Sequence, residues 1–311
     1  MWVADNSNSL LNRIESINKR GTARNIATFD FSTLYTKLPL EDLIDKLKQV
    51  TDIAFKGGTN QYISIRKDSA GWTNNRKKET YSKEDVFNMI ELVMNNTYFQ
   101  FGDEIYKQTI GMPMGIDPAP PAANLYLHFY ESKFMEKLTK TDYGKAKKYN
   151  NAERYIDDLN LINNDGELEV NIQNIYPEEL ILNKENKDDR HSTFLDLNLE
   201  IINKRVVTKT YDKRDAFSFD IINYPHMDSN IPKSQAYGVV VSETMRHFKN
   251  CTNLEDAALR IRTLQNKLLK KEYILQSLQR LIKKTLENNE WIRHKYHCNN
   301  EFIFKTLQNE I

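Results

Sequence analysis

The sequence predicts an α+β fold: a mixed unit of antiparallel hairpins and helices, followed by a basic unit that is wholly helical. Three observations carry this expectation. Short apolar segments alternate with period two around tight polar turns, at Arg154–Ile162 and Thr193–Tyr211. An apolar run, Ile26-Ala27-Thr28-Phe29-Asp30-Phe31, reads as a buried strand. Beyond Pro232 the pattern changes to helical spacing, with Leu264, Leu268, Leu275, Leu278, Ile282 and Leu286 recurring among Lys and Arg. Apolar residues make up 40% of the 311, with 16 Tyr and 14 Phe, enough for a packed core.

The elements follow in order. Leu10, Leu11, Ile14 and Ile17 mark a short first helix, and the strand at 26–31 comes next. Pro39 opens a helix to about Val50, with Glu41 and Asp42 in the first turn, where the helix dipole favours acids. Residues 56–80, rich in Gly, Asn and Lys, read as an exposed hairpin or loop. Ser82 and Asp85 have the spacing of a helix cap before Val86, Ile90, Val93 and Met94. Thr97–Ile110 reads as a hairpin turning at Gly102-Asp103, and a Gly/Pro/Met-rich segment leads into a helix from Ala122 to about Leu138. A tight hairpin then carries Asp157 and Asp158, and another turns near Asn203-Lys204. The division expected is 1–230 for the mixed unit and 231–311 for the helical one.

Composition narrows the function. No apolar run reaches the roughly 18 residues of a membrane span, so no membrane partner is expected. The first residues lack a basic stretch followed by an apolar one, so no secretory signal is expected there. Cys251 and Cys298 are too few for a disulfide framework and favour a reducing, intracellular compartment. Net charge is +1, but Asn203–Lys295 holds 18 Lys/Arg against 10 Asp/Glu, an excess that suits a polyanion.

The chemistry rests on Asp30, at the end of an apolar strand, and Asp157-Asp158, in the turn of an apolar hairpin. Two or three aspartates on rigid backbone are what a pair of Mg²⁺ ions needs to drive nucleotidyl transfer. Each segment also has a plainer explanation, since Asp favours turns and strand ends on its own.

Read together, the segments resemble a reverse transcriptase. Phe29-Asp30-Phe31-Ser32-Thr33-Leu34-Tyr35-Thr36 resembles motif A, Gly111-Met112-Pro113-Met114-Gly115-Ile116-Asp117-Pro118-Ala119-Pro120 motif B, and Tyr155-Ile156-Asp157-Asp158 the motif C box. Phe194-Leu195-Asp196 resembles the segment that supports the primer. The closer likeness is to reverse transcriptases of Penelope-like retroelements, relatives of telomerase reverse transcriptase.

The resemblance implies a right-hand palm of antiparallel strands backed by helices, then a helical thumb, and RNA-directed DNA synthesis at a primer 3′ end. It makes Asp30, Asp157 and Asp158 the catalytic and metal-binding residues for two Mg²⁺ ions, with Mn²⁺ as a substitute. Tyr35, five residues after Asp30, would be the steric gate against ribonucleotides. Met114 and Gly115 would lie under the incoming nucleotide, while Tyr155, Ile156, Phe194 and Leu195 would meet primer and template. Asn124 faces the site or serves as a capping or surface amide. Lys184 and Lys187 are the candidates for a general acid. Lys267, Lys270, Lys271, Lys283 and Lys284 would touch phosphates. The partners implied are an RNA or DNA template, a DNA primer and dNTPs, and the location implied is nuclear.

Twenty-nine residues precede Asp30, fewer than the family's fingers region occupies, so the fingers are expected to be largely missing. The competing readings are a retroelement remnant that binds nucleic acid without polymerising, and a metal-dependent nuclease. His294, His297 and Cys298 fall short of the four ligands of a zinc site.

Overall fold

The structure, a computed structural model, describes residues 2–56, 61–219, 221 and 223–308. In chain order it contains α1 (Ser7–Arg20), β1 (Ile26–Phe31), α2 (Leu34–Lys37), α3 (Leu40–Lys56), β2 (Tyr62–Arg66), β3 (Ser69–Thr73), β4 (Thr80–Ser82) and α4 (Lys83–Asn95). Then come β5 (Tyr98–Phe101), β6 (Glu104–Lys107), α5 (Ala119–Thr141), α6 (Tyr143–Ala146), β7 (Ala152–Tyr155), β8 (Asp158–Ile162), α7 (Glu167–Ile175) and β9 (Leu182–Lys184). The chain ends with β10 (His191–Phe194), β11 (Leu197–Ile202), β12 (Arg205–Thr210), α8 (Lys233–Asn250), α9 (Leu254–Leu269), α10 (Leu275–Glu287), α11 (Glu290–Tyr296) and α12 (Asn300–Gln308). The mixed α+β class is as expected, and every strand pairing whose register is described is antiparallel.

Two compact units result: Met1–Ala4 with Phe29–Glu185, and Asp5–Thr28 with Asn186–Ile311. The first is built on a four-stranded sheet in the order β7-β8-β1-β9, a β-α-β-β-α-β arrangement. Helix α5 opens with Pro120 and Pro121 in its first turn, where their missing N–H costs nothing. It packs on α3 through the hydroxyls of Tyr126 and Tyr130, which donate to Asp42 Oδ2 at 2.7 and 2.6 Å. Asp42 therefore anchors two helices as well as sitting in the first turn of α3. Ser82 and Asp85 form the reciprocal cap expected of α4. The segment after α3 is a three-stranded sheet, β3-β2-β4, within the residues described.

The second unit joins the β10-β11-β12 sheet to α1 and to α8–α12. Thr208 on β12 ties the sheet to the helices: its Oγ1 donates to the Asn250 carbonyl, and its carbonyl accepts from the Thr252 N–H at 2.8 Å. The expected division at 230/231 consequently falls inside one compact unit. The core of these helices includes Val240, Phe248, Ile261, Leu264, Leu268, Leu278, Ile282 and Leu286. Leu275, at the start of α10, departs from the predicted stripe and is 44% exposed. The carbonyls left over at the end of α8 are satisfied from α11, where Lys295 Nζ donates to Phe248 and Lys249 and Tyr296 Oη to Phe248 and Cys251.

Candidate active site

Tyr155 and Asp158 are cross-strand partners, so the two-residue turn of this hairpin is Ile156-Asp157, one residue earlier than the sequence pattern places it. Asp158 is the first residue of β8. The Phe31 N–H donates to the Asp157 carbonyl at 3.3 Å, which sets Asp157 against the strand of Asp30.

The faces of the sheet can be assigned residue by residue. Phe31 meets Tyr176 edge-on at 4.9 Å, and the Tyr176 hydroxyl donates to Glu131 Oε1 at 3.1 Å. Glu131, on α5, receives Nε and Nη2 of Arg154 at 2.5 and 3.2 Å. Phe31 and Arg154 thus share the helix-covered face. Strand alternation then puts Asp30 on the other face, with Tyr155 and Asp158. Asp30, Tyr155, Ile156, Asp157 and Asp158 are all half-buried.

Arg154 is fully buried and holds the turn from beneath. Its Nη1 donates to Asn124 Oδ1 at 2.7 Å and to the Ile156 carbonyl at 3.0 Å, and its Nη2 to the Asn124 carbonyl at 3.3 Å. Asn124 therefore acts through Arg154, as neither a cap nor a surface amide. Ile156 sits at φ 53°, a region in which a β-branched residue is an outlier, so the turn depends on these contacts.

Tyr35 lies on α2, half-buried. Burial raises its phenol above the ordinary value, and the charges of Asp157 and Tyr155 raise it further, so it stays protonated beside the acidic turn. Gly111 fixes the backbone of Tyr35. Its φ is +77°, an added Cβ would meet the Tyr35 carbonyl oxygen at 2.3 Å, and the next N–H, of Met112, donates to that oxygen at 2.7 Å. Met114 is 73% exposed, and Gly115, at φ +95°, borders open space. The loop can therefore approach a ligand without moving a side chain aside.

The donor set suits a hard divalent cation, being carboxylate oxygens on strand ends. The buried cation nearest in sequence, Arg154, is taken up by Glu131, and the Asp157 carboxylate makes no ion pair among the described residues. Asp157 thus fits the cation role. Among the described residues, the three carboxylates Asp30, Asp157 and Asp158 do not bring their ligand atoms within 4.8 Å of one another; His226, Asp228 and Glu272, in the second unit, do.

Several expectations need correction. Lys184 is the cross-strand partner of Phe29 and so lies on the helix-covered face, where its Nζ donates to Glu169 at 3.0 Å; Asn183 is the partner of Asp30. That placement does not suit a general acid for Asp30. Lys187 is exposed and belongs to the second unit. Phe194 is 2% exposed, so it is core to its hairpin and not a contact surface. Leu195 occupies the turn at φ 53° and is half-buried. Asp196, beside it, is committed to structure: burial opposes its charge, but hydrogen bonds from Asn250, Arg246 and Ser7 hold the carboxyl below its usual range. His297 ends α11 in the left-handed region, and the Cys298 thiol donates to the Tyr296 carbonyl at 3.1 Å. Lys267 pairs with Asp215 at 3.6 Å, while Lys270, Lys283 and Lys284 are exposed.

No family model matches this chain, and no curated protein matches it. Among solved structures it is similar to telomerase from Candida albicans in complex with a TWJ fragment of telomeric RNA, with a TM-score of 0.53 and 12% identity, covering 100% of this chain and 56% of that one. Apo telomerase from Candida tropicalis gives 0.49 and 12%, covering 98% and 49%. The chain spans about half the length of the structures it matches. The first of these likenesses establishes a shared fold with telomerase. Among the described residues, no helix is long and apolar enough to cross a membrane.

Proposed function

We propose that this chain is the palm and thumb of a reverse transcriptase of Penelope-like retroelement descent, an RNA-directed DNA polymerase that extends a primer with deoxynucleotides. The observation that carries the reading is the backbone bond from the Phe31 N–H to the Asp157 carbonyl, which brings the Asp157 turn beside the strand of Asp30, with Tyr35 near the same turn. The fold shared with telomerase supports it.

In this reading Asp30 and Asp157, with Asp158 alongside, would hold two Mg²⁺ ions, or Mn²⁺ in their place, whose chemistry is activation of the primer hydroxyl and charge neutralisation at the leaving pyrophosphate. Arg154 positions Asp157 through the Ile156 carbonyl. The Tyr35 ring, protonated and fixed by Gly111-Met112, excludes a 2′-hydroxyl. Tyr155 and Ile156 present a surface to the primer end, and the Met114-Gly115 loop lets backbone approach the nucleotide. Leu195 supports the primer strand, with Phe194 holding it from the core. Lys270, Lys271, Lys283 and Lys284 on the thumb contact phosphates. The partners are an RNA or DNA template, a DNA primer and dNTPs, and the setting is the nucleus.

The test is primer extension by the full chain on matched RNA and DNA templates with Mg²⁺ and deoxynucleotides. Extension on the RNA template is expected. Salt-sensitive template binding with no incorporation would replace this reading with that of a non-polymerising binder.

A further inference from the structure

The β3-β2-β4 sheet carries a second surface, apart from the carboxylates. Its register places Ser64 opposite Gly71 and Thr80, and Arg66 opposite Ser69. Cross-strand partners share a face, so this face is floored by hydroxyls and a glycine. Ile63, Ile65 and Trp72 alternate to the other face, where Trp72 meets Phe55 edge-on at 4.9 Å. The hydroxyl face borders a cleft of about 590 Å³ whose rim includes Arg66, Lys77, Lys78 and one acid, Glu79. The three cations are exposed, and no ion pair among the described residues engages their side chains. From Tyr62 to Thr80 five Lys/Arg face two Asp/Glu, an excess of three.

We propose that this cleft binds the phosphate backbone of a single-stranded polynucleotide. The hydroxyls of Ser64 and Ser69 among these cations suit phosphate oxygens, and the exposed Trp72, which also lines the cleft, offers a ring to an unpaired base. The dimensions agree with one strand. The five-residue strands β2 and β3 run about 17 Å, and with the three-residue β4 the sheet is about 10 Å wide. That length accommodates a few consecutive phosphates of one strand. The binding is independent of sequence and sensitive to salt. It stands on the charge and shape of this sheet, so it holds whether or not the chain polymerises.

The experiment uses the full chain and fluorescein-labelled oligonucleotides: a single-stranded RNA, a single-stranded DNA of the same sequence, and the blunt DNA duplex. Anisotropy is measured across a salt series for the wild type and for Arg66→Gln/Lys77→Gln/Lys78→Gln, with thermal melting as the check of fold. Single-strand affinity is expected to fall at least about tenfold, and the log–log salt slope to shrink by about two, or about 0.7 per lost phosphate contact. A loss confined to RNA, or shared by RNA and DNA, names the strand that is bound. Unchanged affinity and slope in a folded triple variant would overturn the proposal. So would a loss as large for the duplex as for the single strands, or competition by poly-glutamate as strong as by the oligonucleotide, which would make the cleft a general acidic-polymer site.

Discussion

Nη1 of Arg154 donates to the carbonyl of Ile156 at 3.0 Å, closing a buried guanidinium over the turn that carries Asp157. The same guanidinium is bound at two atoms by Glu131 and braced by Asn124. A carboxylate-bearing turn in a strained conformation is therefore positioned by an ion pair inside the core. Glu131→Leu would leave the Arg154 charge buried and unpaired, and is expected to cost about 3–5 kcal/mol in urea unfolding. The double variant Glu131→Leu/Arg154→Met is expected to recover most of that loss, because both charges leave together. A single variant as stable as the wild type would show that the pair does not hold the turn.

Gly111→Ala tests the seat of Tyr35. A methyl group there would collide with the Tyr35 and Thr36 carbonyl oxygens, at 2.3 and 2.9 Å, in a backbone conformation that only glycine adopts easily. A loss of about 2 kcal/mol or more is expected in chemical denaturation.

Tyr35→Ala acts at the site itself. The substitution is expected to admit ribonucleotides into the extended primer, narrowing sugar discrimination by about tenfold or more. Incorporation ratios unchanged from the wild type would remove Tyr35 as the gate.

His247 gives the second unit a pH dependence. Burial first, then the neighbouring charges of Arg246 and Arg260, lower its imidazole to about 4. Its Nδ1 lies 3.1 Å from Thr210 Oγ1. The unfolded chain, with an ordinary histidine near 6.5, binds more protons between these values. The contribution of neutral His247 is thus complete above about pH 6.5 and is lost as pH falls toward 4, on the order of 3 kcal/mol in all. His247→Gln should flatten this part of the stability profile. An equal decline in both proteins would assign it to other groups, Asp196 among them.

Much of this architecture is written in local sequence. The Asp30 strand, the Asp157 hairpin and the Ser82–Asp85 cap rest on residues a few positions apart, where alternation, turn chemistry and capping act directly. What supports the carboxylates is not local. Arg154 and Glu131 are 23 residues apart, and their pairing follows from sheet register and helix packing together. A buried Arg in a strand is nevertheless a readable sign that an acid faces it. The face of Lys184 likewise needed the β1–β9 register, and the burial of Phe194 needed the tertiary packing of its unit. The composition changes at 230/231, whereas the compact unit that contains this point also holds the hydrogen bonds of Thr208 to Asn250 and Thr252.

The central claim is that Asp157 is a metal ligand in a polymerase. The direct test is primer extension by Asp157→Asn beside the wild type, with both proteins checked by thermal melting. The turn geometry rests on the Ile156 carbonyl and Arg154, so the variant should melt as the wild type does while extension falls by at least about a thousandfold, several kcal/mol of lost catalysis. A folded Asp157→Asn protein that extends the primer at the wild-type rate would contradict the assignment.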